Sequence, residues 1–324
     1  MRTKMRVKYK NTYNKRMSRR RNTQRNERTK KNIYKGGSNG KSRKRLACSL
    51  GRKNEYTCYT DESLLKLKTL WNARHPDDII KTNDAKKIWR ELKSRLSEVC
   101  ESETCWLNQH FVDDKLATKL RNLNFAPEAP TSWVKNPHEW LSSIDIEKVM
   151  KQYEKAYPCF EFIGPSPMDY DTHLAYGECV WEELCKFDLN SFIKRKKYKI
   201  GVIFNTDPHY LPGSHWVSLF VNLKRGYIFY FDSAGDPAPK QVIKLVKSIQ
   251  KQADKLGMDL EFIQNSPRIH QRGDNECGMY SLYAITSLLK DIRSPQSFLV
   301  GGEITDDSMH KMRDKYFNTP GSLR

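Results

Sequence analysis

Apolar positions recur at helical spacing over 61–74 (DESLLKLKTLWNAR). Leu64, Leu67 and Trp71 share one face, and His75-Pro76 closes the run. A second helix is expected from Asn83 or Asp84, as the cap, to Val99, with Ile88, Leu92, Leu96 and Val99 inward. A third, shorter one is expected over 113–123. These helices predict a small helical domain at 57–130, closed by the linker Ala126-Pro127-Glu128-Ala129-Pro130. The pattern then changes. A helix at 144–156 is followed by strands at 160–163 and 199–204. Trp216–Val221 and Tyr227–Phe231 are continuous apolar runs around a short polar turn that ends in Gly226, which is the signature of a β-hairpin. Antiparallel pairing about Lys224 sets His215 opposite residue 233, beside Asp232. Pro239–Leu256 is amphipathic through Val242, Val246, Ile249 and Ala253, with Gly257 placed as C′. Met258–Ile263 reads as a further strand, and 278–290 as a helix apolar nearly all round, hence buried. The order of elements predicts an α+β domain over 131–324.

Composition adds limits. A chain of 324 residues suggests one large or two ordinary domains, and 38% apolar residues are enough to build a core. No run of eighteen apolar residues exists, so no membrane partner is expected. The N-terminus lacks the apolar stretch of a secretory signal. Eight cysteines at irregular spacing then predict free thiols in a reducing compartment. Cys48, Cys58, Cys100 and Cys105 lack the tight spacing of a zinc site, so neither a metal nor a cofactor is expected. His110, His138, His173 and His270 show no partner in the sequence and read as ordinary histidines.

Charge is unevenly placed. Residues 1–53 hold 21 Lys or Arg and one acid, Glu27, and so carry the whole formal charge of +20. With almost no apolar residues, the tail (1–56) is expected to be disordered by itself. Such arms bind polyanions by counterion release. Arg19, Arg20, Arg21, Arg43, Lys44 and Arg45 are the candidate contacts to nucleic acid, without sequence specificity. A solubilising or nuclear-import tail is the alternative reading.

The candidate chemistry lies in S214-H-W-V-S-L-F-V-N, Y230-F-D-S-A-G and H270-Q-R-G-D-N-E-C-G-M-Y. Arg272–Glu276 reads as a loop, so Cys277 begins the buried helix, where unpaired N–H groups and the dipole favour a thiolate. His215 supplies a base and Asp232 an orienter for it. Gln271, six residues before Cys277, offers an amide donor to an oxyanion. A structural His-Asp pair at the base of the hairpin is the alternative for the first two residues.

The series HW…YFDS…Q-x5-CG resembles the ubiquitin-like-protein-specific cysteine protease superfamily, which includes the SUMO proteases and the adenovirus processing protease. Trp140-Leu141 and Ile144–Met150 resemble the helix that opens that catalytic domain. The segments Glu276–Tyr280 and Asp232–Asp236 look most like the processing proteases of large nucleocytoplasmic DNA viruses. The likeness covers roughly residues 138–300. Glu276 stands where the cellular enzymes usually carry Asp, which turns the expectation away from a SUMO-type substrate. The resemblance implies a cysteine-protease fold, with a central mixed sheet and a buried nucleophile helix. It implies a thiol endopeptidase that cuts virion precursor proteins after Gly-Gly, in the virion and host cytoplasm. Trp216 would roof a tunnel that admits only Gly-Gly; packing within the strand is its alternative role. Removal of ubiquitin-like modifiers, or nucleic-acid binding without catalysis, are the other functions weighed.

Overall fold

The computed structural model describes residues 46–50 and 54–323. Most of the basic tail lies outside them, including Gly36-Gly37 and all six arginine and lysine candidates for nucleic-acid contact. Three helices come first: α1 (Asp61–Arg74), α2 (Ala85–Arg95) and α3 (Asp114–Asn124). Each is capped by a side chain that accepts an otherwise orphaned N–H, from Thr60, Asp84 and Asp113 respectively. Leu64, Leu67, Ile88, Leu92 and Leu120 build their shared core around the stacked rings of Tyr59 and Trp106.

The second helix is shorter than expected. It stops at Arg95, and Val99 is exposed rather than inward. Leu96 already leaves the helical region, and the chain turns so that Leu96 and Cys100 take the buried positions. The proline-rich 126–130 is also not a free linker. Ala126 N–H donates to Ala47 O at 3.0 Å and Ala129 N–H to Asn318 O at 2.8 Å, so a buried backbone is satisfied on both sides. The expectation of free thiols is corrected too: Cys48–Cys58, Cys100–Cys105 and Cys179–Cys185 are disulfides, while Cys159 and Cys277 are free. Each pair is ten or fewer residues apart, so local turns bring the sulfurs together, a proximity hidden by irregular spacing.

The rest is α+β. α4 (Ser143–Ala156) opens with a Ser142/Asp145 capping box. A five-stranded mixed sheet follows in the order β1 (Phe160–Pro167), β2 (Lys199–Asn205), β3 (Trp216–Asn222), β4 (Tyr227–Phe231), β5 (Glu261–Gln264). The outer pairs are parallel and the inner pairs antiparallel. Short helices α5 (Glu182–Cys185) and α6 (Leu189–Lys194) precede β2, and α7 (Lys240–Asp254) links β4 to β5. α8 (Cys277–Leu289), α9 (Pro295–Leu299) and α10 (Asp306–Tyr316) complete the chain. Alternation divides each central strand between two cores. Trp216, Phe220, Phe229 and Phe231 face α8 and α4, whereas Val217, Leu219, Val221, Ile228 and Tyr230 face α7. Leu282, Ile285 and Leu288 of α8 are fully buried, each worth roughly 1.5–3 kcal/mol of transfer free energy. Among the described residues, no helix is long and apolar enough to cross a membrane.

Candidate active site

The hairpin is offset by one residue from the expected register. Ser218 pairs with Phe231 at the last rung, so His215 and Asp232 lie just beyond the ladder. They meet there, with His215 Nε2 at 2.7 Å from Asp232 Oδ1. Asp232 is buried and its carboxylate also accepts Ala234 N–H at 2.8 Å. Its backbone is clamped by Asn265, which accepts Asp232 N–H at 2.8 Å and donates to Asp232 O at 2.7 Å. Nothing in the sequence marked Asn265 for this role, because only the β4–β5 pairing brings it there.

Cys277 is the first residue of α8 and is 1% exposed. Ser281, one turn on, donates to Trp216 O at 3.1 Å and ties the helix to the strand that carries His215. Gly278 permits this close seat, since a Cβ there would stand 3.0 Å from Leu141 Cβ. Asp232 occupies Nε2 of the imidazole, which leaves Nδ1 for the sulfur. Burial alone would depress the His215 pKa. Asp232 and the Cys277 sulfur outweigh it through hydrogen bonds and charge, and push the imidazole up to about 10. The group can therefore hold a proton through neutral pH.

Gln271 sits in the loop before Cys277. Its Oε1 accepts from Ser233 Oγ at 2.7 Å and its Nε2 donates to Gly273 O at 2.6 Å. Trp216 is 7% exposed and its indole N–H donates to Leu141 O at 3.0 Å, so its ring packs in the wall. The more open indole is Trp140, which donates to Asn275 Oδ1 at 3.2 Å across the loop.

Sequence reasoning missed the surroundings of Glu276. This residue is the N-cap of α8, yet its carboxylate caps nothing. It is buried against Arg313 Nε at 3.0 Å, with His310 Nδ1 at 3.3 Å and His138 Nδ1 at 3.8 Å. His138 is thus not without a partner, for it also stacks on His310. The start of α10, Thr305 with Asp306 and Asp307, is marked in the sequence, but nothing local places its His310 and Arg313 against Glu276. His270 is structural. It is fully buried, with Nε2 donating to Phe298 O at 2.9 Å and Nδ1 accepting Ile304 N–H at 3.3 Å. Among the described residues, two donor groups lie within the reach of one ion, His138/Glu276/His310 and His173/Cys179/Cys185. In the first, Arg313 already neutralises the carboxylate, and in the second the sulfurs are bonded to each other.

The chain is similar to known viral proteases. A thiol protease of Acanthamoeba polyphaga mimivirus is 29% identical over 275 residues, covering 83% of this chain and 87% of the relative. A cysteine protease of African swine fever virus is 27% identical over 249 residues, covering 72% of this chain and 90% of its own length. The crystal structure of the African swine fever virus protease superposes with a TM-score of 0.62 at 24% identity, over 84% of this chain and 96% of that one, and so shares its fold. Residues 150–320 match the C-terminal catalytic domain of the Ulp1 protease family, and the chain accordingly belongs to that family of cysteine peptidases.

Proposed function

We propose that this cysteine protease is an endopeptidase that cuts structural precursor proteins of a virion after Gly-Gly. The observation that carries the reading is the His215–Asp232 pair at 2.7 Å, with its imidazole against a sulfur at the start of a buried helix. In this reading the Cys277 thiolate attacks the scissile carbonyl carbon and the electron pair moves to the carbonyl oxygen. The Cys277 backbone N–H and the Gln271 amide stabilise that oxyanion. The His215 imidazolium then gives its proton to the leaving amine as the C–N bond breaks. Water, deprotonated by His215, attacks the thioester and releases the acid and the thiol. Asp232 holds the ring in position and stabilises its charge.

Preference for glycine is supported by crowding. Cys277 is almost wholly covered, and the walls near it hold Trp216, Leu141 and the partly exposed Trp140. A substrate strand must approach without side chains to reach such a sulfur. A precursor substrate, and action in the virion and host cytoplasm, are proposed from the resemblance of Asp232–Asp236 and Glu276–Tyr280 to viral processing proteases. Incubating the protein with virion precursor proteins and mapping new N-termini tests this: cuts after Gly-Gly support it, and cuts at other sequences oppose it. A second reading, removal of ubiquitin-like modifiers, is favoured by similarity to African swine fever virus relatives named SUMO-1 cysteine proteases. A panel of modifier conjugates separates the two. The basic tail is proposed to hold nucleic acid through phosphate contacts while the catalytic domain works.

A further inference from the structure

The orientation of the Gln271 amide is determined by its neighbours. Nε2 lies 2.6 Å from Gly273 O and Oε1 lies 2.7 Å from Ser233 Oγ. A backbone carbonyl can only accept, so the end facing Gly273 is the NH2 group. The other end is then the oxygen, and the Ser233 hydroxyl donates to it. One Nε2 hydrogen is used by Gly273, and the second has no hydrogen-bond partner among the described residues. Ser233 also holds the main chain of this loop, since its carbonyl accepts His270 N–H at 2.9 Å and Gln271 N–H at 2.8 Å. The serine is buried and directly follows Asp232, whose carboxylate meets His215. One dipeptide therefore touches the base with one side chain and the candidate oxyanion donor with the next.

We propose that Ser233 is a positioning residue for Gln271: its hydroxyl fixes the amide so that N–H, and not oxygen, faces the developing oxyanion. This rests on the reading of Gln271 as an oxyanion donor. A donor held in place before reaction loses no free energy to reorientation when the charge appears. Without the hydroxyl, Oε1 loses its donor and the amide gains freedom to turn. A turned amide presents a lone pair to an oxyanion, which repels it.

The test compares wild type, Ser233→Ala, Gln271→Ala and the double variant in steady-state cleavage of a Gly-Gly-X peptide, with unfolding midpoints as a control on folding. Gln271→Ala should lower kcat about 10²- to 10³-fold, as loss of an oxyanion donor does. Ser233→Ala should lower kcat roughly tenfold, the scale of one hydrogen bond, and leave KM unchanged, because the substrate ground state carries no oxyanion. The double variant should be no slower than Gln271→Ala, since the serine then has nothing to position. Ser233→Thr, which keeps a hydroxyl, should recover most of the loss, and Ser233→Cys serves if the alanine variant does not fold. Full kcat in Ser233→Ala beside an impaired Gln271→Ala overturns the positioning role and spares the oxyanion reading. Losses that multiply in the double variant also overturn it, because the serine would then act through general structure. A Gln271→Ala enzyme with wild-type kcat defeats the oxyanion reading and this proposal with it.

Discussion

At the scale of single residues, two groups set the state of His215 against burial. Its folded-state pKa, pushed up to about 10 against the opposing effect of burial, reflects both the Asp232 carboxylate and the Cys277 sulfur. Cys277→Ala removes one of the two raising influences, so the imidazole should titrate at lower pH; an NMR titration of His215 reads this directly. An unchanged value would mean the sulfur does not face the ring. The sign for stability follows from the raised pKa. The protonated form is favoured in the folded protein, so its contribution is complete below the unfolded value of about 6.5 and is lost as pH rises through about 10. Asp232→Asn should cost less kcat/KM at neutral pH than His215→Ala, because an amide still bonds the ring but does not stabilise its charge. Finding Asp232→Asn the more damaging of the two would remove the orienting role from Asp232.

At the scale of elements, the helix that carries the candidate nucleophile is tied down by α10. Glu276 and Arg313 are both about 5% exposed in side-chain terms and pair at 3.0 Å. Arg313→Met leaves a buried carboxylate without its cation, which typically costs about 3–5 kcal/mol. Thermal unfolding should show that loss, and Glu276→Gln added to Arg313→Met should return part of it. Equal midpoints for Arg313→Met and wild type would show that the pair is not structural. Elements whose apolar pattern is explicit were legible from sequence: α1 over 61–74, α4 over 144–156, and α8 beginning at Cys277. The hairpin was legible as well, with the register displaced by one residue, because Asn222 joins β3 and pairs with Tyr227, which shortens the turn to 223–226. Contacts made by distant segments were not. Asn265 reaches Asp232 through parallel pairing, Arg313 reaches Glu276 from the last helix, and 126–130 is fastened to Ala47 and Asn318. No local pattern encodes such meetings.

At the scale of the whole molecule, the chain separates its charge from its catalytic core, with +20 carried by residues 1–53 and a balanced remainder. Removing residues 1–53 should weaken binding to DNA or RNA and leave cleavage of short peptides nearly unchanged. Binding by the full chain should fall steeply with salt, in proportion to the phosphates contacted. Full binding by the truncated protein would place the nucleic-acid contact elsewhere. The tail also contains Gly36-Gly37-Ser38, a match to the proposed cleavage preference. Intact-mass spectrometry at high enzyme concentration should reveal a product beginning at Ser38 in wild type and none in Cys277→Ala. Persistence of full-length wild type would exclude self-processing there.

The central claim is that Cys277, activated by His215 and Asp232, cleaves peptide bonds after Gly-Gly. The most direct measurement is the kcat/KM of wild type and Cys277→Ala on a Gly-Gly-X peptide and its Ala-Ala-X counterpart, with products identified by mass. Wild type should cut only the first, after the second glycine, and Cys277→Ala should retain less than about one per cent of that rate, as loss of a nucleophile demands. Cleavage that survives in Cys277→Ala, or equal rates on both peptides, would contradict the account.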